Sequence, residues 1–261
     1  PMGGQALRQL VDGRSALLPG IWDALSGRLV RQAGFPAAFV SGYAVSGSLL
    51  GLPDFGYLTQ TEMAEVARRI HAANPDLMMV VDADTGYGNP LNTVRTIELW
   101  QAAGADGIFL EDQVWPKRCG HMVGKQVIET DDWLAKLRAA VRTAQRSTDA
   151  MYVTARTDAR AAVNLQEAIE RGKKARDVGV DAVFVEAPES IDEYEQIASA
   201  LPDVTLVANM VETGRSPLLT PTELHELGFS FVISPLSVLF SMVQAATVAL
   251  EHLQTHGTLR D

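Results

Sequence analysis

The chain has 261 residues, 47% of them hydrophobic, and a formal net charge of -10. That length suits one large α/β barrel or two small domains with a core sufficient to fold. The acidic balance argues against nucleic acid and anionic membranes as partners, and the single cysteine excludes an internal disulfide and fits a reducing compartment.

Short apolar, β-branched runs predict strands at 17–21, 37–41, 78–82, 107–111, 152–156, 182–186, 205–209 and 229–234. Amphipathic stretches between them predict helices at 61–73, 91–103, 131–144, 165–178 and 191–201, and the apolar run 238–250 reads as a further helix. Gly34, Gly104, Gly179 and Gly228 each follow a helix-like segment and precede a strand. Glycine there closes the last helical turn in a left-handed conformation.

Eight such units in roughly 250 residues match a (β/α)8 TIM barrel. A doubly wound open sheet is the alternative, weakened by the lack of a Gly-rich phosphate fingerprint after the first strand. No linker or low-complexity segment divides the chain, so residues 1–261 read as a single domain. No apolar run is long enough to span a bilayer and the N-terminus shows no signal pattern, so the cytoplasm is the expected location.

In a (β/α)8 barrel the active site lies at the C-terminal ends of the strands. Polar residues recur there: Ser41-Gly42-Tyr43, Asp82 and Asp84, Glu111-Asp112-Gln113, Arg156-Thr157-Asp158, Glu186, Asn209 and Glu212. At any one position a solvated loop end explains the residue as well. Carboxylates at three strand ends plus an arginine at another, converging on one mouth, are not explained that way. On a regular strand Asp82 and Asp84 would share a face. Gathered carboxylates need a cation, and oxygen ligands suit Mg²⁺ or Mn²⁺ better than Zn²⁺. Arg156 can grip a substrate carboxylate with two parallel bonds.

The run Lys117-Arg118-Cys119-Gly120-His121 holds the only cysteine. Two cations and an imidazole beside a thiol favour the thiolate, and the glycine permits a close approach. A lone cysteine is often a small buried hydrophobe, but this charged surrounding would be hard to bury. His71, His225, His252 and His256 read as ordinary helix-face or C-terminal residues.

These segments are where a family resemblance appears. Ser41-Gly42-Tyr43, Gly51-Leu52-Pro53-Asp54, the run from Val81 to Gly88, Leu110-Glu111-Asp112-Gln113, the Cys119 run, Ala155-Arg156-Thr157-Asp158 and Val185-Glu186-Ala187 resemble the isocitrate lyase/phosphoenolpyruvate mutase superfamily. The match runs over nearly the whole chain. Cys119-Gly120-His121 resembles the carbon–carbon lyase branch, where phosphonate mutases and hydrolases carry Asn or Thr followed by Ser. The runs from Val40 to Ser46, Glu111 to Lys117 and Ala208 to Glu212 resemble the 2,3-dimethylmalate lyase and petal death protein group.

The resemblance implies Mg-dependent retro-Claisen cleavage of a 2-hydroxy dicarboxylate to an α-keto acid and a carboxylate. It implies metal ligation by Asp82 and Asp84, with Glu111 and Asp54 acting through water. Cys119, on a gating loop at about 113–128, becomes the proton donor. Lys117, His121 and Arg156 stabilise negative charge. Glu186 and Asn209 hydrogen-bond the substrate or the thiol, and Ser41, Gly42, Tyr43, Asp82, Gly120, Arg156 and Asn209 line the substrate site. It also implies a homotetramer that exchanges C-terminal helices.

Two departures matter. Methylisocitrate lyase resembles the chain at Pro235-Leu236-Ser237 but has Arg three residues after the matching Ser, where this chain has Phe240. The missing cation favours a substituted malate over a tricarboxylate. A tyrosine of that enzyme is Phe39 here, so no base role carries over to it. Oxaloacetate hydrolysis, methylisocitrate cleavage and phosphonate chemistry are the rival activities, and a non-catalytic barrel is a rival of another class.

Overall fold

Strands β1 (Ala16–Ile21), β2 (Ala37–Val40), β3 (Met78–Asp82), β4 (Gly107–Glu111), β5 (Tyr152–Thr157), β6 (Ala182–Val185), β7 (Thr205–Asn209) and β8 (Phe231–Ser234) pair in parallel, each with the next, and β8 returns to β1. The sheet is a closed barrel, as expected. The computed structural model describes residues 3–13, 15–120 and 124–260.

Helices α2 (Ala24–Gln32), α4 (Gln60–Ala73), α5 (Pro90–Ala102), α6 (Thr130–Ala144), α8 (Leu165–Val178), α9 (Ile191–Ala200), α10 (Pro221–Glu226) and α11 (Ser237–His256) alternate with the strands. Their starts are written in side-chain chemistry. Asp23 with Ser26, Thr59 with Glu62, Asn89 with Asn92 and Thr220 with Glu223 form capping boxes, and Pro90 and Pro221 enter at the first turn. At the other ends Gly34, Gly104, Gly179 and Gly228 have φ of 89°, 85°, 93° and 93°, as the helix-closing role requires.

Strands β3, β4 and β7 have the expected bounds. Strand β2 stops one residue early because Ser41 caps α3 (Gly42–Val45), which runs into a π-turn at Ser46–Leu50. Strand β8 starts later than expected because the Phe229 N–H closes α10 by donating to Leu224 O. Besides α3, two short helices went unforeseen: α7 (Ala159–Ala162) and α1 (Gly4–Val11), which plugs the N-terminal end of the barrel. There Leu7 is buried, and Arg8 pairs with Asp181 at 2.7 Å.

Two layers of core hold the barrel. The outer one packs helices on the sheet around Trp100, Trp133, Ile70 and Leu137. The inner one fills the barrel, with Phe109 against Phe39, Phe184 and Phe231 at centroid distances of 4.9, 5.6 and 5.7 Å. The Phe184 ring in turn lies 5.5 Å from the Arg156 guanidinium, so the inner core is the floor of the mouth. Phe109→Ala should therefore cost about 3–5 kcal/mol, read as a lowered midpoint in chemical denaturation.

Candidate active site

Polar residues leave the barrel at the C-terminal ends of its strands, and the structure brings most of the expected ones together. Ser41, Tyr43, Asp54, Asp82, Cys119, Gly120, Arg156, Glu186 and Asn209 line one cavity of about 40 Å³. Phe39, Phe109, Val211, Ile233, Pro235 and Leu236 complete its wall. His121 falls outside the described residues.

Asp82 ends β3, but Asp84 is not on the strand. It sits in a turn with φ 45°, where its N–H donates to Asp82 Oδ1 at 3.2 Å. The reading by strand alternation is thus corrected: a left-handed turn, not a pleat, aims the second carboxylate. Such a conformation costs of order 1–3 kcal/mol in a non-glycine residue and persists only where its surroundings enforce it. Here Lys136 donates to Thr85 O at 3.1 Å and Trp100 Nε1 to Asp82 O at 3.3 Å. Both carboxylates face Gly42, where an added Cβ would lie 3.0 Å from Asp82 Oδ2 and 3.7 Å from Asp84 Oδ1. Ser41 Oγ accepts the Ala44 N–H, so this hydroxyl caps α3 while lining the cavity.

Lys117 is placed where sequence reasoning did not put it. Its ammonium, with only 3% of the side chain exposed, sits 2.7 Å from both Asp54 Oδ1 and Asp84 Oδ1. It neutralises the acid cluster directly. Burial pushes the Lys117 pKa down, but Asp54, Asp84, Asp82 and Glu111 outweigh it and hold the group well above its usual range. Burial raises the Asp84 carboxyl to about 6, helped by Asp82 and Asp54 and opposed by Lys117. Glu111 is pushed well up by burial, against the pull of Arg156 and Lys117, and neither of its oxygens accepts a hydrogen bond among the described residues.

Arg156 is ringed by acids. Its Nε and Nη2 reach Asp158 Oδ2 and Oδ1 at 3.0 and 3.1 Å, and Nη1 and Nη2 lie 3.3 Å from Glu111 Oε2 and Glu186 Oε2. Asn209 Nδ2 donates to Glu186 at 3.3 Å. Ala187, after Glu186, has φ 58°, a second strained position at the mouth.

Residues 113–120 and 124–128 of the expected gating segment lie at this mouth. The segment's two limbs pair where Val114 N donates to Gln126 O at 2.8 Å and Ile128 N to Asp112 O at 2.9 Å. The Gln113 amide holds Arg118 through both backbone groups, and Cys119 N donates to Asp54 O at 3.2 Å. The Trp115 ring lies tilted against that of Tyr87, centroids 6.2 Å apart. Gly120 needs to be glycine for proximity: an added Cβ would lie 2.3 Å from Glu186 Oε2 and 2.7 Å from Arg156 Nη2. Cys119 is half-buried, and burial, the largest cause, raises the Tyr43 pKa. Phe240 meets the Tyr43 ring edge-on at 6.4 Å, so the departure noted in sequence bears on a residue of the cavity wall.

Sequence reasoning gave no role to Asp112, Lys125, Asp158 or Arg171. Asp112 accepts from Thr157 Oγ1, Asp158 N and Arg171 Nη1 at 2.6, 2.8 and 3.1 Å, binding two strand ends together. Asp112 and Asp158 were visible inside matching motifs, but nothing in their spacing spoke of structural pairing. Lys125 carried no signal at all.

The residues at the mouth suit a divalent cation. Asp54, Asp82, Asp84, Glu111, Asp158 and Glu186 outnumber Lys117, Lys125 and Arg156, and the Glu111 oxygens accept no hydrogen bond among the described residues. Among the described residues no group of three or more His, Cys, Asp and Glu is arranged to hold a metal directly. Two direct carboxylates with others acting through water, the hydrated manner usual for Mg²⁺, ask for no such group.

A closed parallel barrel with acids, cations and a thiol-bearing loop over its C-terminal mouth is a barrel enzyme. The chain matches the family described as phosphoenolpyruvate phosphomutase over residues 7–254 and belongs to it, within the PEP mutase/isocitrate lyase superfamily of lyases and mutases. It is 47% identical to the petal death protein of Dianthus caryophyllus over 97% of this chain and 79% of that one. It is 48% identical to the chloroplastic carboxyvinyl-carboxyphosphonate phosphorylmutase of Arabidopsis thaliana, over 94% and 72%. Its identity to 2,3-dimethylmalate lyase of Eubacterium barkeri is 40%, over 92% and 82%. The solved structure of oxaloacetate acetylhydrolase with 3,3-difluorooxalacetate superposes with a TM-score of 0.95 at 35% identity, covering 99% of this chain and 88% of that one. The expected superfamily and barrel are thereby borne out.

Proposed function

We propose that the chain is a Mg²⁺-dependent (or Mn²⁺-dependent) carbon–carbon lyase that cleaves a substituted malate to an α-keto acid and a carboxylate. The observation that carries this is the shared cavity of Cys119, Arg156, Glu186 and Asp82. Asp82 and Asp84, with Glu111 and Asp54 through water, would hold the metal. When bound it supplies Lewis-acid polarisation of the substrate's 2-hydroxyl oxygen and adjacent carboxylate.

The chain's own residues do the rest. Arg156 offsets the charge of the bound dicarboxylate, Lys117 holds Asp54 and Asp84 in place, and the Glu186–Asn209 pair orients the substrate. A carboxylate of the cavity takes the hydroxyl proton, C2 becomes the keto carbon as the C2–C3 bond breaks, and that bond's electron pair remains on C3 as a carboxylate enolate. Cys119 donates its thiol proton to C3. This role requires the proton to be on sulfur at the moment of cleavage, in a cavity that Cys119 shares with the acids Asp54, Asp82 and Glu186. The 113–128 segment acts as a gate that excludes water.

Phe240 decides the size of the substrate. An aromatic edge on Tyr43 offers nothing to a third carboxylate. The unmodified protein should cleave 2,3-dimethylmalate and leave 2-methylisocitrate untouched. Phe240→Arg should raise methylisocitrate turnover relative to dimethylmalate about tenfold, the value of one charge-assisted contact. Methylisocitrate cleavage by the unmodified protein contradicts this reading.

The likeness to oxaloacetate acetylhydrolase favours hydrolysis of oxaloacetate as the second reading. It shares the metal and the enolate-like leaving group, and is separated by its products, oxalate and acetate. Phosphonate chemistry is disfavoured by Cys119-Gly120 in the gate.

Assembly as a homotetramer is proposed from the resemblance. It is supported by α11, none of whose residues is buried among the described residues and which exposes Val243, Val248 and Leu250. A cytoplasmic setting is proposed from the single cysteine. Among the described residues no helix is long and apolar enough to cross a membrane.

A further inference from the structure

Lys125 stands on the returning limb of the 113–128 segment, one residue from Gln126, whose carbonyl takes part in the pairing that anchors that limb. Its side chain is 1% exposed. The ammonium donates to the Gly120 carbonyl and pairs with Asp158 Oδ1 at 2.6 Å. Asp158 in turn grips Arg156 with two bonds, and Gly120 rests against Arg156 and Glu186. Loop tip, lysine, aspartate and arginine thus close a ring.

The ring has two consequences. A buried ammonium that holds both a carbonyl of the loop tip and a carboxylate of the barrel fastens the tip to β5. A charged donor makes this bond stronger than one between neutral groups. Lys125 also shares the charge of Asp158. Burial pushes the Asp158 carboxyl up, but Arg156 and Lys125 together outweigh it and hold it at about 2. Without Lys125, Asp158 would draw on Arg156 alone.

We propose that Lys125 is a positioning residue that latches the Cys119–Gly120 tip to Asp158 and keeps Arg156 set for a substrate carboxylate. The second half rests on the lyase reading above; the first does not.

The test uses the full chain with Lys125→Met, Lys125→Arg and the double variant Lys125→Met/Asp158→Asn. The double variant leaves no unpaired buried Asp158 charge and covers the case in which Lys125→Met does not fold. Cys119 is the only cysteine, so its alkylation rate by iodoacetamide reports the loop tip without any substrate. Loss of the latch should speed alkylation about tenfold in Lys125→Met and in the double variant, with Lys125→Arg close to the parent. Removing a cation near the thiol would by itself slow alkylation, so the sign separates opening from electrostatics. Alkylation unchanged or slower in the folded variants overturns the latch.

The second readout is cleavage of 2,3-dimethylmalate. Lys125→Met should lower kcat about tenfold with a smaller change in KM, and Lys125→Arg should restore most of it. Faster alkylation with unchanged kcat overturns the coupling to Arg156. If the parent cleaves no malate, the lyase reading fails, while the alkylation result still decides the latch.

Discussion

Cys119→Ser should lower kcat for 2,3-dimethylmalate about 10²–10⁴-fold, the range for removing a positioned general acid. The serine hydroxyl fits the space of the thiol but gives up its proton far less readily at neutral pH. Cys119 N is held by the Asp54 carbonyl, a backbone contact that the substitution leaves in place. KM should therefore change little. The carboxylates proposed to hold the metal belong to other segments, so Mg²⁺ affinity should stay at the parent value. Stopped-time assays of keto acid release, with isothermal titration of Mg²⁺, measure both. Near-parental turnover on every malate tested would remove Cys119 from the mechanism.

Gly120→Ala should cost about 10²-fold in kcat, as misplacement of a reacting group by roughly 1 Å does. The new Cβ would overlap Glu186 Oε2 and Arg156 Nη2. Neither neighbour can give way freely. Asn209 holds Glu186, and Asp158 holds Arg156 by two bonds. The loop tip must rise instead and carry Cys119 with it. Iodoacetamide should then reach Cys119 faster than in the parent, whereas a direct chemical role for residue 120 would leave that rate alone. Turnover within a few-fold of the parent would show that the tip does not need to seat this deeply.

The barrel was legible because each unit repeats the same local chemistry. Apolar strands buried on both faces, capped helix starts and the closing glycines at 34, 104, 179 and 228 all pointed one way. The site was legible as a set of strand ends. Arg156, Glu186 and Asn209 met because parallel strands end together at one rim. What stayed hidden depends on angles and reach. Asp84 turns inward through a positive φ that no pattern of alternation predicts. Lys117 has a flexible stem, and only the folded loop shows that its ammonium ends between Asp54 and Asp84. Lys125, between Gly124 and Gln126, reads as an exposed loop lysine; its burial comes from the two limbs pairing across a stretch with no regular period.

The most direct measurement of the central claim is α-keto acid release across malate, citramalate, 2,3-dimethylmalate, 2-methylisocitrate and oxaloacetate, with Mg²⁺ and after its removal by chelation. Pyruvate and propionate should form from 2,3-dimethylmalate, be lost on chelation and be restored by Mg²⁺. Oxalate and acetate from oxaloacetate with no keto acid from any malate would contradict the claim, as would keto acid release that chelation leaves unchanged.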